Sequence, residues 1–138
     1  MSATPTLTIP SDLQEIPRLS ATLEDGMRDQ NFSDEDILDT QLSVEEAVTN
    51  IILHGYVENP GRIAIFLRTS PKAIEIRIED SAPAFDPLSV PEPDLSTDVI
   101  ERKIGSLGVF LMKQVMDDLS YEYKYGKNIL TLVKNRTN

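Results

Sequence analysis

The sequence predicts an α+β fold, a two-layer α/β sandwich with helices on one face of a mostly antiparallel sheet. Three observations lead there. Ile74, Ile76 and Ile78 alternate with Glu75, Arg77 and Glu79, the pattern of a strand with one dry and one wet face. Leu13, Ile16, Leu19, Leu23 and Met27 recur every three or four residues, as on an amphipathic helix. The periodic segments are grouped rather than interleaved, in the order strand, helix, helix, strand, strand, long loop, helix, strand, strand.

Thr6 to Ile9 is expected to open the sheet. Ser11 reads as the N-cap of the first helix, with Pro17 either kinking it or delaying its start. Ser33 and Asp36 resemble a capping box for a second helix. Its expected buried stripe is Ile37, Leu38, Leu42, Val48, Ile51 and Ile52, and Gly55 is its expected stop. Ile63, Ile65 and Leu67 alternate with Ala64, Phe66 and Arg68 in a strand that meets Ile74–Ile78 through a turn at Ser70-Pro71. Residues 81 to 104 carry Pro83, Pro87, Pro91 and Pro93 and little periodicity; a loop this long in a compact domain reads as a lid. A third helix follows Gly105, with Leu107, Phe110, Leu111 and Val115 on one side. Tyr121–Tyr125 and Asn128–Val133 read as a closing hairpin around Gly126-Lys127, its tyrosines sharing one face.

The chain has 138 residues, which suits a single domain over 1–138, and a formal net charge of −10. With no basic stripe to release counterions, direct nucleic-acid binding is excluded, and so is docking on an anionic membrane. A basic protein partner is compatible with this charge, as is a plain solubility role. There is no cysteine, so disulfides and cysteine-based zinc sites are excluded. The N-terminus lacks a basic region followed by an apolar run, and no apolar stretch nears the roughly 20 residues of a membrane helix. The expected location is the cytoplasm.

Three segments carry candidate chemistry. Glu46, Asn50 and His54 are spaced four apart, so they stack along one helix face. A carboxylate there can take a proton, and an amide oxygen can ligate a hard cation such as magnesium; the same spacing also fits a solvated helix face. His54 is the only histidine and reads as structural. Asp80 ends a strand where it can accept a hydrogen bond from an exocyclic amine such as that of adenine, or simply start a turn. Gly105 and Gly108 open a helix, where free N–H groups favour phosphate, although glycines at helix starts are common. The acidic residues Asp34, Glu35, Asp36 and Asp39 read as a solvated first turn favoured by the helix dipole.

Taken in order, these segments resemble the Bergerat-fold ATPases shared by histidine kinases, gyrases and chaperones of the Hsp90 type. The finer pattern resembles the bacterial anti-sigma factors with serine kinase activity. The matching text is Ser43-Val44-Glu45-Glu46-Ala47-Val48-Thr49-Asn50, His54-Gly55-Tyr56, Phe85-Asp86-Pro87, Leu107-Gly108-Val109-Phe110-Leu111-Met112, Met116-Asp117-Asp118 and Gly126-Lys127-Asn128-Ile129-Leu130-Thr131-Leu132-Val133-Lys134. It spans about Leu7 to Lys134.

The resemblance implies ATP and magnesium as cofactors, with Asn50 coordinating the metal. It implies Glu46 as general base toward a substrate serine and Asp80 as the adenine-binding carboxylate. Gly105 and Gly108 would let the chain approach the phosphates, and Arg102 or Lys103 would offset γ-phosphate charge. Ala82, Phe85, Ser106 and Leu107 fall in the same motifs and belong with the nucleotide-binding set. The implied partners are a sigma factor, an anti-anti-sigma factor and a second copy of the chain. Two positions depart from the family pattern: Ala82 stands where a glycine is usual, and Ser106 follows Gly105 where a second glycine is frequent. They keep open an alternative, a nucleotide-dependent binding module with little or no kinase activity.

Overall fold

The computed structural model describes residues 4–89 and 104–138. The strands are β1 (Leu7–Pro10), β2 (Arg62–Thr69), β3 (Ala73–Asp80), β4 (Asp118–Lys124) and β5 (Lys127–Asn135); the helices are α1 (Ile16–Asp29), α2 (Asp34–Asn50) and α3 (Ile104–Val115). The sheet order is β1-β2-β3-β5-β4, antiparallel at every pairing. The expected element order and the two-layer α+β architecture are both found.

The core lies between one sheet face and the helices. Ile9, Ile63, Ile65, Ile74, Ile76, Ile78, Leu130 and Leu132 face Leu19, Leu23, Met27, Val44, Val48 and Met112. Each such side chain contributes about 1.5–3 kcal/mol when fully buried. On the opposite face of β3, Arg77 pairs with Glu79 at 2.7 Å and lies 4.1 Å over the Phe66 ring. Among the described residues no helix is long and apolar enough to cross a membrane.

Several expectations are corrected. Asp12, not Ser11, caps the first turn, accepting from Gln14 N at 2.9 Å; Ser11 Oγ instead accepts from Gly61 N. Pro17 sits in the first turn of α1, where its missing N–H is harmless. Ser33 caps α2 as expected, accepting from Asp36 N at 3.1 Å. Leu38 and Leu42 are more than half exposed, because α2 buries the stripe Ile37, Thr40, Ser43, Val44, Ala47 and Val48 instead. Asp36 is not solvated. It is 1% exposed, accepts from Thr137 N and Oγ1, and lies 4.0 Å from Lys134 Nζ. In α3, Leu111 is exposed, and Val109 and Met112 are buried, as is Met116 just beyond the helix. The hairpin turns one residue earlier than expected, at Tyr125 (φ 54°) and Gly126 (φ 74°), leaving Tyr125 exposed rather than packed with Tyr121.

Candidate functional site

The β3–β5 register sets Asp80 opposite Asn128. Both end the inward rows that begin with Ile74, Ile76 and Ile78 on β3 and Leu132 and Leu130 on β5, so the strand period that builds the core also buries these two polar groups. Asp80 Oδ1 accepts from Ala82 N and Asn128 Nδ2, each at 2.9 Å. The Asn128 amide also donates to Ala82 O at 3.0 Å and Pro83 O at 3.2 Å, while its Oδ1 accepts from Phe85 N and the Tyr121 hydroxyl. One side chain thus ties the loop after β3 to the sheet. Burial raises the Asp80 pKa above the ordinary carboxylate value, and the bonds from Asn128 and Ala82 pull it partly back.

Asp80 lies in the wall of a cavity of about 370 Å³ between α2, α3 and the ends of β3 and β5. Ala47, Ile51, Ala82, Pro83, Val109, Met112 and Leu130 make most of the wall apolar; Asn50, His54, Tyr121 and Asn128 add polar groups. That size and lining suit a small ligand with an aromatic body and a few polar handles. After Asn50 the chain widens into a single π-type turn, Ile51–Gly55, a local irregularity frequent at functional sites. Tyr56 then clamps the cavity's outer edge. Its hydroxyl donates to Arg62 O at 2.8 Å and accepts from Ser81 N at 2.7 Å, fixing the residue next to Asp80. Gly55 packs so closely on the Ala82 methyl that a Cβ at position 55 would lie 2.9 Å from it.

At the cavity wall, Asn50 Nδ2 donates to Oε1 of Glu46, one helical turn back on α2, at 3.3 Å. This orientation leaves Asn50 Oδ1 without a donor among the described residues. Glu46 is half-buried; burial raises its pKa, against the lowering effect of the Asn50 bond and the His54 ring. Its side chain lies against α3, where a Cβ at Gly108 would come within 2.0 Å of Glu46 Cδ.

The fold therefore brings Asn50, Asp80, Ala82 and Phe85 into one cavity wall, with Glu46 bonded to Asn50 just outside it. Leu107 and Gly108 sit on α3 beyond that wall, and Gly105 and Ser106 lie in the first turn of α3. Arg102 and Lys103 fall outside the described residues, as does most of the expected lid. Ala82 does not need a glycine's backbone, since Asn31 and Tyr125 are the only described non-glycine residues with positive φ. Sequence reasoning gave no role to Asn128, Tyr121 or Tyr56. Strand parity was the available signal for Asn128, which shares a row with Leu130 and Leu132.

Among the described residues no three His, Asp or Glu side chains converge as a metal cage. An amide oxygen beside a cavity does fit magnesium, which takes few protein ligands and completes its shell with phosphate and water.

The profile of the family described as "Histidine kinase-like ATPase domain" matches residues 9–134. The chain belongs to this family. Among curated members, it is 29% identical over 126 residues to proteins named "Serine-protein kinase RsbW" from Bacillus thuringiensis strain Al Hakam and Bacillus cereus strain 03BB102, covering 88% of this chain and 79% of each relative. The same name and identity recur in Bacillus anthracis. Among solved structures of the fold, the Acinetobacter baumannii histidine kinase AdeS matches with a TM-score of 0.52 at 13% identity, over 96% of this chain and 68% of that one. The histidine kinase domain of a blue-light activated kinase from Erythrobacter litoralis matches with a TM-score of 0.53 at 16% identity, over 99% and 66%. These two likenesses concern the fold alone. ATP use is the property of the family to which this chain belongs.

Proposed function

We propose that this domain is an ATP-dependent anti-sigma factor with serine-protein kinase activity toward an anti-anti-sigma partner, acting in the cytoplasm as a homodimer with a sigma factor as its second protein partner. The observation that carries the reading is a buried acid, Asp80, in the wall of an apolar cavity that also holds Asn50, itself bonded to Glu46 one helical turn back. The relatives named serine-protein kinase support it at the level of the reaction.

In this reading Asp80 accepts the exocyclic amine of adenine, and the apolar wall from Ala47 to Met112 holds the base. Asn50 Oδ1 ligates magnesium, which when bound neutralises the phosphate charge. The first turn of α3, with Gly105 and Ser106, offers backbone N–H groups to the phosphates, and Arg102 and Lys103 add positive charge. Glu46 removes the proton of the incoming serine hydroxyl. Its burial-raised pKa suits that task, because a base nearer the working pH holds the abstracted proton better. Little covalent chemistry is asked of the protein, since phosphoryl transfer is mostly positioning and electrostatics.

The test is to incubate the pure protein with labelled ATP, magnesium and a candidate anti-anti-sigma partner, sought as a small serine-containing protein among the neighbouring reading frames. Phosphoserine on that protein is the expected result. Nucleotide binding without transfer would assign the domain to the binding-module alternative instead.

A further inference from the structure

Asn128 is the most heavily bonded side chain at the site, and the mechanism above makes no use of it. Its amide nitrogen serves Asp80 Oδ1, Ala82 O and Pro83 O, and its oxygen takes Phe85 N and the Tyr121 hydroxyl. An amide has two N–H groups and one oxygen with two lone pairs, so no capacity is left for a ligand. Asp80 Oδ1 is equally full, with two donors at 2.9 Å. No donor among the described residues reaches Asp80 Oδ2. The buried acid therefore offers the cavity one oxygen rather than two.

We infer that Asn128 is the residue that sets purine specificity, by occupying one oxygen of Asp80 so that the site accepts adenine and discriminates against guanine. Guanine places two adjacent donors, N1–H and N2–H, on its pairing edge, a match for a carboxylate with both oxygens open. Adenine presents one amine next to an acceptor nitrogen and needs a single open oxygen. Against guanine, the half-occupied carboxylate leaves one donor unpaired in a largely apolar cavity, which is where such a loss is felt most. Asn128 acts through Asp80 and does not touch the base, so it is a positioning residue. The inference rests on the nucleotide-binding reading of the same cavity.

Calorimetric titration with ATP and with GTP, each with magnesium, tests it on the wild type and on Asn128→Ala, Asn128→Leu and Tyr121→Phe, with circular dichroism as the check of folding. Wild type should favour ATP by about tenfold or more, the worth of one hydrogen bond to a charged group. Both Asn128 variants should lose ATP affinity and cut the ATP-to-GTP ratio by about tenfold, because Oδ1 keeps only the Ala82 N donor and gains room for a second donor from the base. Asn128→Leu keeps the side-chain volume if the smaller replacement does not fold. Tyr121→Phe removes a donor to Asn128 and loosens the same loop, but leaves the Asn128–Asp80 bond; it should lower both affinities together at an unchanged ratio. Equal wild-type affinity for ATP and GTP overturns the inference. So does an unchanged ratio in a folded Asn128 variant, or a shift in Tyr121→Phe equal to that of the Asn128 variants. Absence of binding to either nucleotide overturns the nucleotide-site reading itself.

Discussion

Replacing Asp80 with asparagine should separate recognition from stability. The two side chains have the same shape, and an amide oxygen can take the bonds that Asp80 Oδ1 accepts from Ala82 N and Asn128 Nδ2. That orientation turns an NH2 group into the cavity in place of the open carboxylate oxygen. An acceptor for the adenine amine becomes a donor. The lost bond to a charged group is worth about 1.5–3 kcal/mol, or roughly 10- to 150-fold in ATP affinity. Stability should move the other way. Burial holds the Asp80 pKa above its unfolded value even after its two donors have lowered it. Below the carboxylate range both states are protonated and the charge imposes no penalty. As pH rises through the folded pKa the penalty becomes complete, and the amide removes it. At pH 7, ligand-free Asp80→Asn should therefore unfold later than wild type. The gap should close as pH falls through the carboxylate range. Urea unfolding across that range, paired with ATP titration at pH 7, reads both effects. A variant that unfolds earlier at pH 7, or that binds ATP as wild type does, refutes the reasoning.

Glu46→Gln should leave ATP affinity unchanged and slow phosphoserine formation by about 10²–10⁴-fold, while Glu45→Gln, which leaves the helix about 100° away, changes neither; a normal transfer rate in Glu46→Gln removes the base assignment. Gly108→Ala should push the Glu46 carboxylate off α3, since its Cβ would fall 2.0 Å from Glu46 Cδ; transfer assayed at saturating ATP should fall severalfold, and an unaffected rate would show that the close packing is irrelevant to turnover. Asp36→Ala should lower stability by about 3 kcal/mol in urea unfolding, because it strips partners from Thr137 and from the buried Lys134; a change under 1 kcal/mol, the scale of one ordinary hydrogen bond, would show the cluster to be unimportant.

Legibility in the sequence depended on how sharply polar and apolar residues alternate. The β3 row Ile74-Ile76-Ile78 with charges between reads unambiguously, and its parity carries Asp80 inward to the cavity. In α2 the buried stripe includes Thr40 and Ser43, whose polarity hides them, while Leu38 and Leu42 advertise a face that stays exposed. Thr40 is satisfied inside by bonding Asp36 O at 2.8 Å, a local solution that composition does not display. In α3 the run Leu107 to Met112 is apolar on every side, so the stripe read through Leu111 was no better marked than the buried one through Val109 and Met112. Asp36 looked like a solvated acid because its partners, Thr137 and Lys134, lie about a hundred residues away in the chain. The site was legible where residues recur four apart on one helix, as Glu46 and Asn50 do. It was illegible where the work is done by backbone, as at Ala82 N and Phe85 N; for Asn128, strand parity marks the inward face but not the cross-strand partner Asp80.

The contact between Gly55 and Ala82 has an evolutionary consequence. The two positions are 27 residues apart in sequence, yet together they have room for a single methyl group, and a second would close the gap to 2.9 Å. Substitution at either one is therefore conditional on the other. A lineage that carries glycine at the position of Ala82 is free to acquire alanine or serine at the position of Gly55, and one that carries alanine at 82 is not. Among relatives the pair should exchange its side chain between partners, with two small residues that both bear a Cβ seldom found together. Swapping them in this chain, as Gly55→Ala with Ala82→Gly, should be tolerated far better than Gly55→Ala alone.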